Sequence, residues 1–346
     1  MSATPLKRPA IAAALLFVLG IIAWEFYLRK DGVDHSFDDG GPIWSYHRDR
    51  VFQPMDQATV FIGSSRIKFD LDTDTWQSIT GDDPVQLACV GSTPLPVLYD
   101  LADDPGFKGK LVIDVTEGLF FSTNPYNRNR PETAIKYYHD ITPAQRVGFA
   151  LNKPMESTFV FLDKEDLSLN AMLEQLEIPS RPGVRMGPIF PRDFDRVKFS
   201  RQEYMGPLFL ADTNKINKQR SIWALFASMN KQPPISGAPL DSLLQTVKVA
   251  TDKIQDRGGK IIFVRTPSSG PMLEKEGMGF PRDQYWDKIL VVTGCQGIHF
   301  QDHPETSNYI CPEFSHLQVS DAIDYTKHLI RFLQEKGWTF PNMRNI

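Results

Sequence analysis

Apolar and polar positions along the chain fall into three regimes. The first is continuous: Pro9 to Trp24 carries no charged residue, and apolar character resumes at Phe26 to Leu28 before Arg29 and Lys30. With Glu25 taken as interfacial, the stretch reaches about twenty residues, the length of a helix that crosses a bilayer core. The second regime alternates short β-branched runs with helix-period segments. Strands are expected at Ala58 to Ile62, Val85 to Val90, Lys110 to Thr116, Lys260 to Arg265 and Ile298 to Phe300. Helices are expected around Trp76, over Leu95 to Ala102, Leu240 to Arg257, Arg282 to Thr293 and Ser320 to Lys336. Near-continuous apolar strands suit a parallel sheet covered on both faces, and their alternation with helices predicts a doubly wound, three-layer α/β/α domain. The third regime, 125–239, is aromatic-rich and irregular, with helical patches at Pro143 to Leu151, Lys164 to Leu176 and Lys215 to Met229. It is too long for a loop and reads as a mostly helical inserted subdomain or lid.

The organisation expected is therefore an amino-terminal transmembrane anchor over 1–30, a polar linker over 31–57, an α/β domain from 58–124 and 240–346, and the insertion between. A cleaved signal peptide competes for the first segment. Trp24, Phe26 and Tyr27 stand where small cleavage-site residues are wanted, which favours an uncleaved anchor. Basic residues flank both ends of the anchor. Asp31, Asp34, Asp38 and Asp39 tilt it toward placing the bulk of the chain in the periplasm or outside the cell.

Composition narrows the chemistry. The 346 residues hold 38 basic and 42 acidic side chains, a net charge of -4 with no long run of either sign, which gives no support to nucleic-acid binding. No glycine-rich phosphate loop with a lysine is present, so no nucleotide cofactor is implied. Cys89, Cys295 and Cys311 match no zinc spacing, and the acids around His303 match no closed metal site. Cys295 and Cys311 have two readings, a disulfide in an oxidising compartment or two reduced core thiols, with Cys89 buried in either.

Two boundaries carry candidate chemistry. The first strand stops at Gly63-Ser64-Ser65-Arg66, and Glu313-Phe314-Ser315-His316 precedes the last helix. In α/β domains reactive groups collect where strands end, and a serine becomes a nucleophile when a histidine takes its proton and an acid orients that histidine. Taken singly, the first motif is also a capped turn and the second a packed surface histidine. Their joint order points to Ser65, His316 and Glu313. His299 and His303 lie nearby, but neither has an acid three residues before it and a helix directly after it. The Gly-x-Ser-x-Gly elbow is not formed around Ser65.

With Gly91 closing the second strand, these motifs resemble the SGNH, or GDSL-like, hydrolase superfamily over most of 58–124 and 240–336. The resemblance implies a flavodoxin-like sheet, a Ser65-His316-Glu313 triad, an oxyanion hole that uses the amides of Ser65 and Gly91, and acyl transfer or ester hydrolysis without a cofactor. The anchor and the inserted region narrow it to proteins similar to the extracytoplasmic SGNH-like proteins of polysaccharide O-acylation. That implies an acylated carbohydrate or acyl donor as substrate and a membrane-bound acyltransferase as partner. A plain carboxylesterase and a non-catalytic binding or assembly subunit are the rival readings. The chain departs from the family after the third strand, where Val115-Thr116-Glu117-Gly118 stands in place of a block with an oxyanion asparagine. Loss of one such donor costs ~3 kcal/mol in transition-state stabilisation. Arg265, at a strand end, is a candidate for an anionic or acyl group of the substrate, with a structural ion pair as its other reading.

Overall fold

The computed structural model describes residues 7–174, 176, 187–229 and 232–342. Five strands, β1 (Ala58–Ile62), β2 (Asp83–Gln86), β3 (Lys110–Asp114), β4 (Lys260–Arg265) and β5 (Gln296–His299), form one parallel sheet in the order β2-β1-β3-β4-β5. The pairs Val60–Val85, Val60–Leu111, Ile113–Phe263 and Arg265–His299 set its register.

Alternating strand residues feed two cores, as the two-residue period of a strand requires. Val60, Ile62, Leu111, Ile113, Ile261 and Phe263 face one cluster with residues of the helices Leu95–Asp103, Gly237–Asp256 and Trp286–Thr293. Phe61, Val112, Ile262 and Val264 face the other, with Ile67, Trp76 and the helix Val319–Glu335. Both faces are covered, which is why the strands read as continuous apolar runs. Cys295 belongs to the first core and Cys311 to the second, so the sheet stands between them and all three cysteines are free, buried thiols. The disulfide reading fails for that reason.

The second strand is shorter than its apolar run because the chain leaves the ladder after Gln86, although the amides of Leu87 and Cys89 still donate to the carbonyls of Phe61 and Gly63. Pro84 is tolerated because β2 lies at the sheet edge.

Two compact units divide the chain differently from the sequence reading. One comprises Met1–Asp38 and Val147–Ile189, the other Asp39–Arg146 and Phe190–Ile346. The expected linker contains a helix, Gly41–Asp49, whose Trp44 is buried and whose Arg48 pairs with Asp100 at 2.8 Å and Asp104 at 2.9 Å. Its polar composition concealed a buried ion-paired face. Much of the expected insertion likewise belongs to the unit that holds the sheet. Part of the expected Lys164 to Leu176 helix lies outside the described residues; the rest forms two short helices, Lys164–Leu167 and Leu169–Glu174. The helix α1, Lys7–Lys30, is long and apolar enough to cross a membrane.

The sheet reaches the functional region through Gly63, where a Cβ would meet the Cβ of Asp114 at 2.6 Å and Cγ2 of Ile67 at 2.7 Å. Gly63→Ala is expected to destabilise the protein by about 1–3 kcal/mol through overpacking. Urea unfolding checks this; an unchanged midpoint would show that the close approach is not required.

Candidate active site

Ser65 opens the short helix α2, Ser65–Asp70, at the carboxyl end of β1. From Ala58 to Thr73 every residue is buried except Ser65, so the stretch presents one hydroxyl to the outside. Ser64 is the cap. Its Oγ accepts the Arg66 N–H at 3.4 Å and shares a 2.7 Å hydrogen bond with Thr116 Oγ1, beyond β3. β1 sits between β2 and β3, so Ser65 lies where the strand order changes direction, the place at which open α/β sheets bind ligands.

The turn before the last helix brings the other two residues. Glu313 and His316 are buried, and Phe314 between them has φ of 81°, a left-handed conformation that folds the acid back onto the histidine. Glu313 Oε1 accepts the backbone N–H of Ser315 at 3.2 Å, that of His316 at 2.6 Å and the ring Nδ1 of His316 at 2.9 Å. Burial pushes the Glu313 carboxyl up, but the charge of His316 and the hydrogen bonds from His316 and Trp223 outweigh it and hold the group below the ordinary carboxylate range. An anionic carboxylate only accepts, so Nδ1 carries a proton, and when the ring is neutral Nε2 is its free nitrogen and faces Ser65 as an acceptor. Ser65 Oγ is 2.9 Å from that nitrogen. Residues 251 positions apart thus form one relay, Ser65 to His316 to Glu313.

Three aromatic groups hold the imidazole. Phe69, one turn after Ser65, stacks on it at 4.3 Å, and Phe194 and Trp223 lie at 6.0 and 6.1 Å. Trp223, on the helix Thr213–Met229, also donates its indole N–H to Glu313 Oε2. Arg220 on the same helix grips the Pro312 carbonyl through two bonds of 3.0 and 2.6 Å and lies 4.5 Å over the Phe314 ring. The region beyond the third strand thus supplies the groups that fix the acid. Trp223 falls in the expected helical patch Lys215 to Met229, but nothing in the pattern singles it out from the many aromatics of that region.

A buried ion network braces the serine from behind. Arg66 donates to Ser315 Oγ at 3.3 Å and to Glu276, linking the serine helix to the histidine turn. Glu276 also takes Arg265 Nη2 at 2.5 Å, and the two guanidinium groups, against the cost of burial, hold its carboxyl down at about 2. Arg265 is committed elsewhere too, to Glu117 at 3.0 Å, the Thr266 carbonyl at 2.6 Å and Ser268 Oγ at 3.0 Å. The structure therefore places it in the bracing network and not in the substrate-facing role considered for it. Glu117, standing where the resemblance wants an asparagine, is the partner of this arginine.

Gly91 follows β2 with φ of +61°, its carbonyl held by Asn127 Nδ2 at 2.9 Å. Among the described residues no group accepts the Gly91 N–H, and the Ser65 amide, first in its helix, has no intrahelical acceptor. Neither amide has an acceptor among the described residues. His299 and His303 are used elsewhere: His299 is buried, accepts the Gln301 N–H and is pushed down to about 3 by burial and nearby arginines, and His303 stacks on Phe332.

Compared with known proteins, the chain matches no family model and no curated sequence.

Beneath the site, Asp70 Oδ1 accepts the Leu317 N–H at 2.9 Å while Oδ2 is buried without a partner among the described residues. Burial raises this carboxyl well above its ordinary value, more than Leu317 and Arg66 lower it. A folded-state pKa above the unfolded value gives stability that is complete below about pH 4 and is lost as pH rises through the folded value. Asp70→Asn keeps the acceptor for Leu317 and removes the titration. Its melting temperature is expected to fall less than that of the wild type between about pH 4 and 8; parallel curves would contradict the assignment.

Proposed function

We propose that the chain is a membrane-anchored serine acyl-transfer or ester-hydrolysing enzyme with an SGNH-type fold, acting outside the cytoplasm on O-acyl groups of a cell-surface carbohydrate. The observation that carries the reading is the relay of two 2.9 Å hydrogen bonds from Ser65 through His316 to a buried, anionic Glu313. Support comes from the sheet order, which is that of flavodoxin-like folds, and from the apolar α1, which suits an anchor that keeps the enzyme beside a membrane-bound acyltransferase.

In this mechanism His316 Nε2 takes the Ser65 proton as Oγ attacks the ester carbonyl. The amides of Ser65 and Gly91 receive the oxyanion, and Glu313 stabilises the imidazolium. His316 returns the proton to the departing alcohol. Water then completes hydrolysis, or a sugar hydroxyl completes transfer, by the same steps in reverse.

Glu117 in place of an asparagine donor favours a second reading, a non-catalytic binding or assembly subunit. The experiment is the full-length protein in detergent, assayed for release of acetate from acetylated oligosaccharides and from p-nitrophenyl acetate. Ser65→Ala and His316→Ala are each expected to lower kcat/KM by roughly 10³-fold or more, with preference for the glycan ester in the wild type. Equal turnover of the soluble ester identifies a plain carboxylesterase. Glycan binding without turnover, unchanged in Ser65→Ala, identifies the binding subunit.

Trp223→Phe keeps the aromatic packing and removes the one side-chain donor to Glu313 Oε2 among the described residues. Leaving that oxygen buried and unpaired is expected to lower kcat/KM by about 10-fold, from ~1–2 kcal/mol, with little change in KM; a change confined to KM would assign Trp223 to substrate binding instead.

A further inference from the structure

The unit formed by Met1–Asp38 and Val147–Ile189 contains surface that the acyl-transfer reading does not use. Near its carboxyl end, α1 is bonded to the chain around Val160. Glu25 accepts the backbone N–H groups of Val160 at 3.1 Å and Phe161 at 3.0 Å and the Arg29 Nε at 2.7 Å, and Arg29 donates to the Thr158 carbonyl at 2.8 Å. Leu28, Val33 and Val160 form a small core with Phe161 and Leu167. Glu25 lies five residues before Lys30, ~7 Å along the helix axis. Trp24 and Tyr27 stack at 5.5 Å beside it, the aromatic pairing found where a spanning helix meets the headgroups. The backbone at 158–161 is thereby fixed at the level where the apolar run of α1 ends.

Flanking this attachment are two apolar stripes that no described residue covers. On the helix Pro143–Glu156, Val147, Leu151 and Met155 recur at four-residue spacing and are exposed, Leu151 by 66%. On the short helix Leu169–Glu174, Leu169, Met172 and Leu173 stand at i, i+3 and i+4 on one face, Leu169 exposed by 72%, and Leu176 just beyond the helix is exposed as well. Phe159, between the stripes, is exposed as well. An amphipathic helix with an open apolar face, tied to the end of a spanning helix, has the bilayer interface within reach.

We propose that the described residues of 147–176 form a membrane-interface lobe whose two stripes enter the headgroup and upper acyl region of the bilayer that α1 crosses. The inference rests on the anchor reading of α1. It gives the protein two membrane contacts, a span and a surface lobe, joined by the Glu25 and Arg29 bonds. A single lipid-embedded helix leaves its own unit free to rotate and tilt; a second contact within that unit restricts both.

The test uses the full-length protein in phospholipid vesicles with a bimane label on one introduced cysteine, since the native thiols are buried. The positions are Leu151→Cys and Leu173→Cys on the stripes, Asn152→Cys off the first stripe, and Leu16→Cys on α1. Nitroxide-labelled lipid is expected to quench the labels at 151, 173 and 16 by about twofold or more and to leave that at 152 much less affected. Quenching at 16 without quenching at 151 and 173 overturns the lobe and leaves the anchor standing, with a protein partner on the stripes. Absence of quenching at 16 as well overturns the anchor and the lobe together.

Discussion

A carboxylate removed from water must be surrounded by donors, and Glu313 meets that requirement in a way that organises the site. One oxygen takes two backbone amides and the His316 ring; the other takes the Trp223 indole. Each donor fixes something else. The amides hold the turn, the ring nitrogen selects the tautomer, and the indole binds the helix Thr213–Met229 to the catalytic turn. Without the negative charge the imidazole has no reason to present Nε2 to Ser65. Glu313 meets the ring across a turn in which Phe314 takes a left-handed conformation.

Charge balance around the serine follows from the same burial. Arg66 and Arg265 share Glu276, and Arg265 also meets Glu117, so cations and anions alternate through the layer behind Ser65. Breaking one member of such a buried pair leaves an uncompensated charge, which costs far more than the pair contributes over an apolar substitute. The network is therefore best understood as fixing geometry: Arg66 reaches the residue before His316, and so couples the serine helix to the histidine turn. Asp70 and Asp114 carry too little compensation, and burial raises both carboxyls.

The sheet was legible because buried parallel strands must be apolar on both faces, and the expected strands at Ala58 to Ile62 and Lys260 to Arg265 match the observed ones residue for residue. Ser65, Glu313 and His316 were legible because each stands at a boundary where periodicity breaks. What could not be read depends on distant partners. The helix Gly41–Asp49 looked polar because its arginine finds aspartates some fifty residues on. The helix Gly270–Gly279, which carries Glu276, was hidden by its own glycines. Trp223 gave no signal, since one indole donor in an aromatic stretch has no pattern. Arg265 stood at a strand end in both views, but only its neighbours decide between a ligand and a brace.

The central claim is that Ser65, and not the adjacent Ser64, is an activated nucleophile. The two hydroxyls differ in the structure: Ser64 is buried and engaged with Thr116 and the Arg66 amide, whereas Ser65 is the open one, 2.9 Å from the imidazole. The most direct measurement is peptide mapping by tandem mass spectrometry after the folded protein reacts with a fluorophosphonate. The account predicts one stoichiometric adduct on Ser65. A folded protein that forms no adduct, or one that carries it on Ser64 or elsewhere, would contradict it.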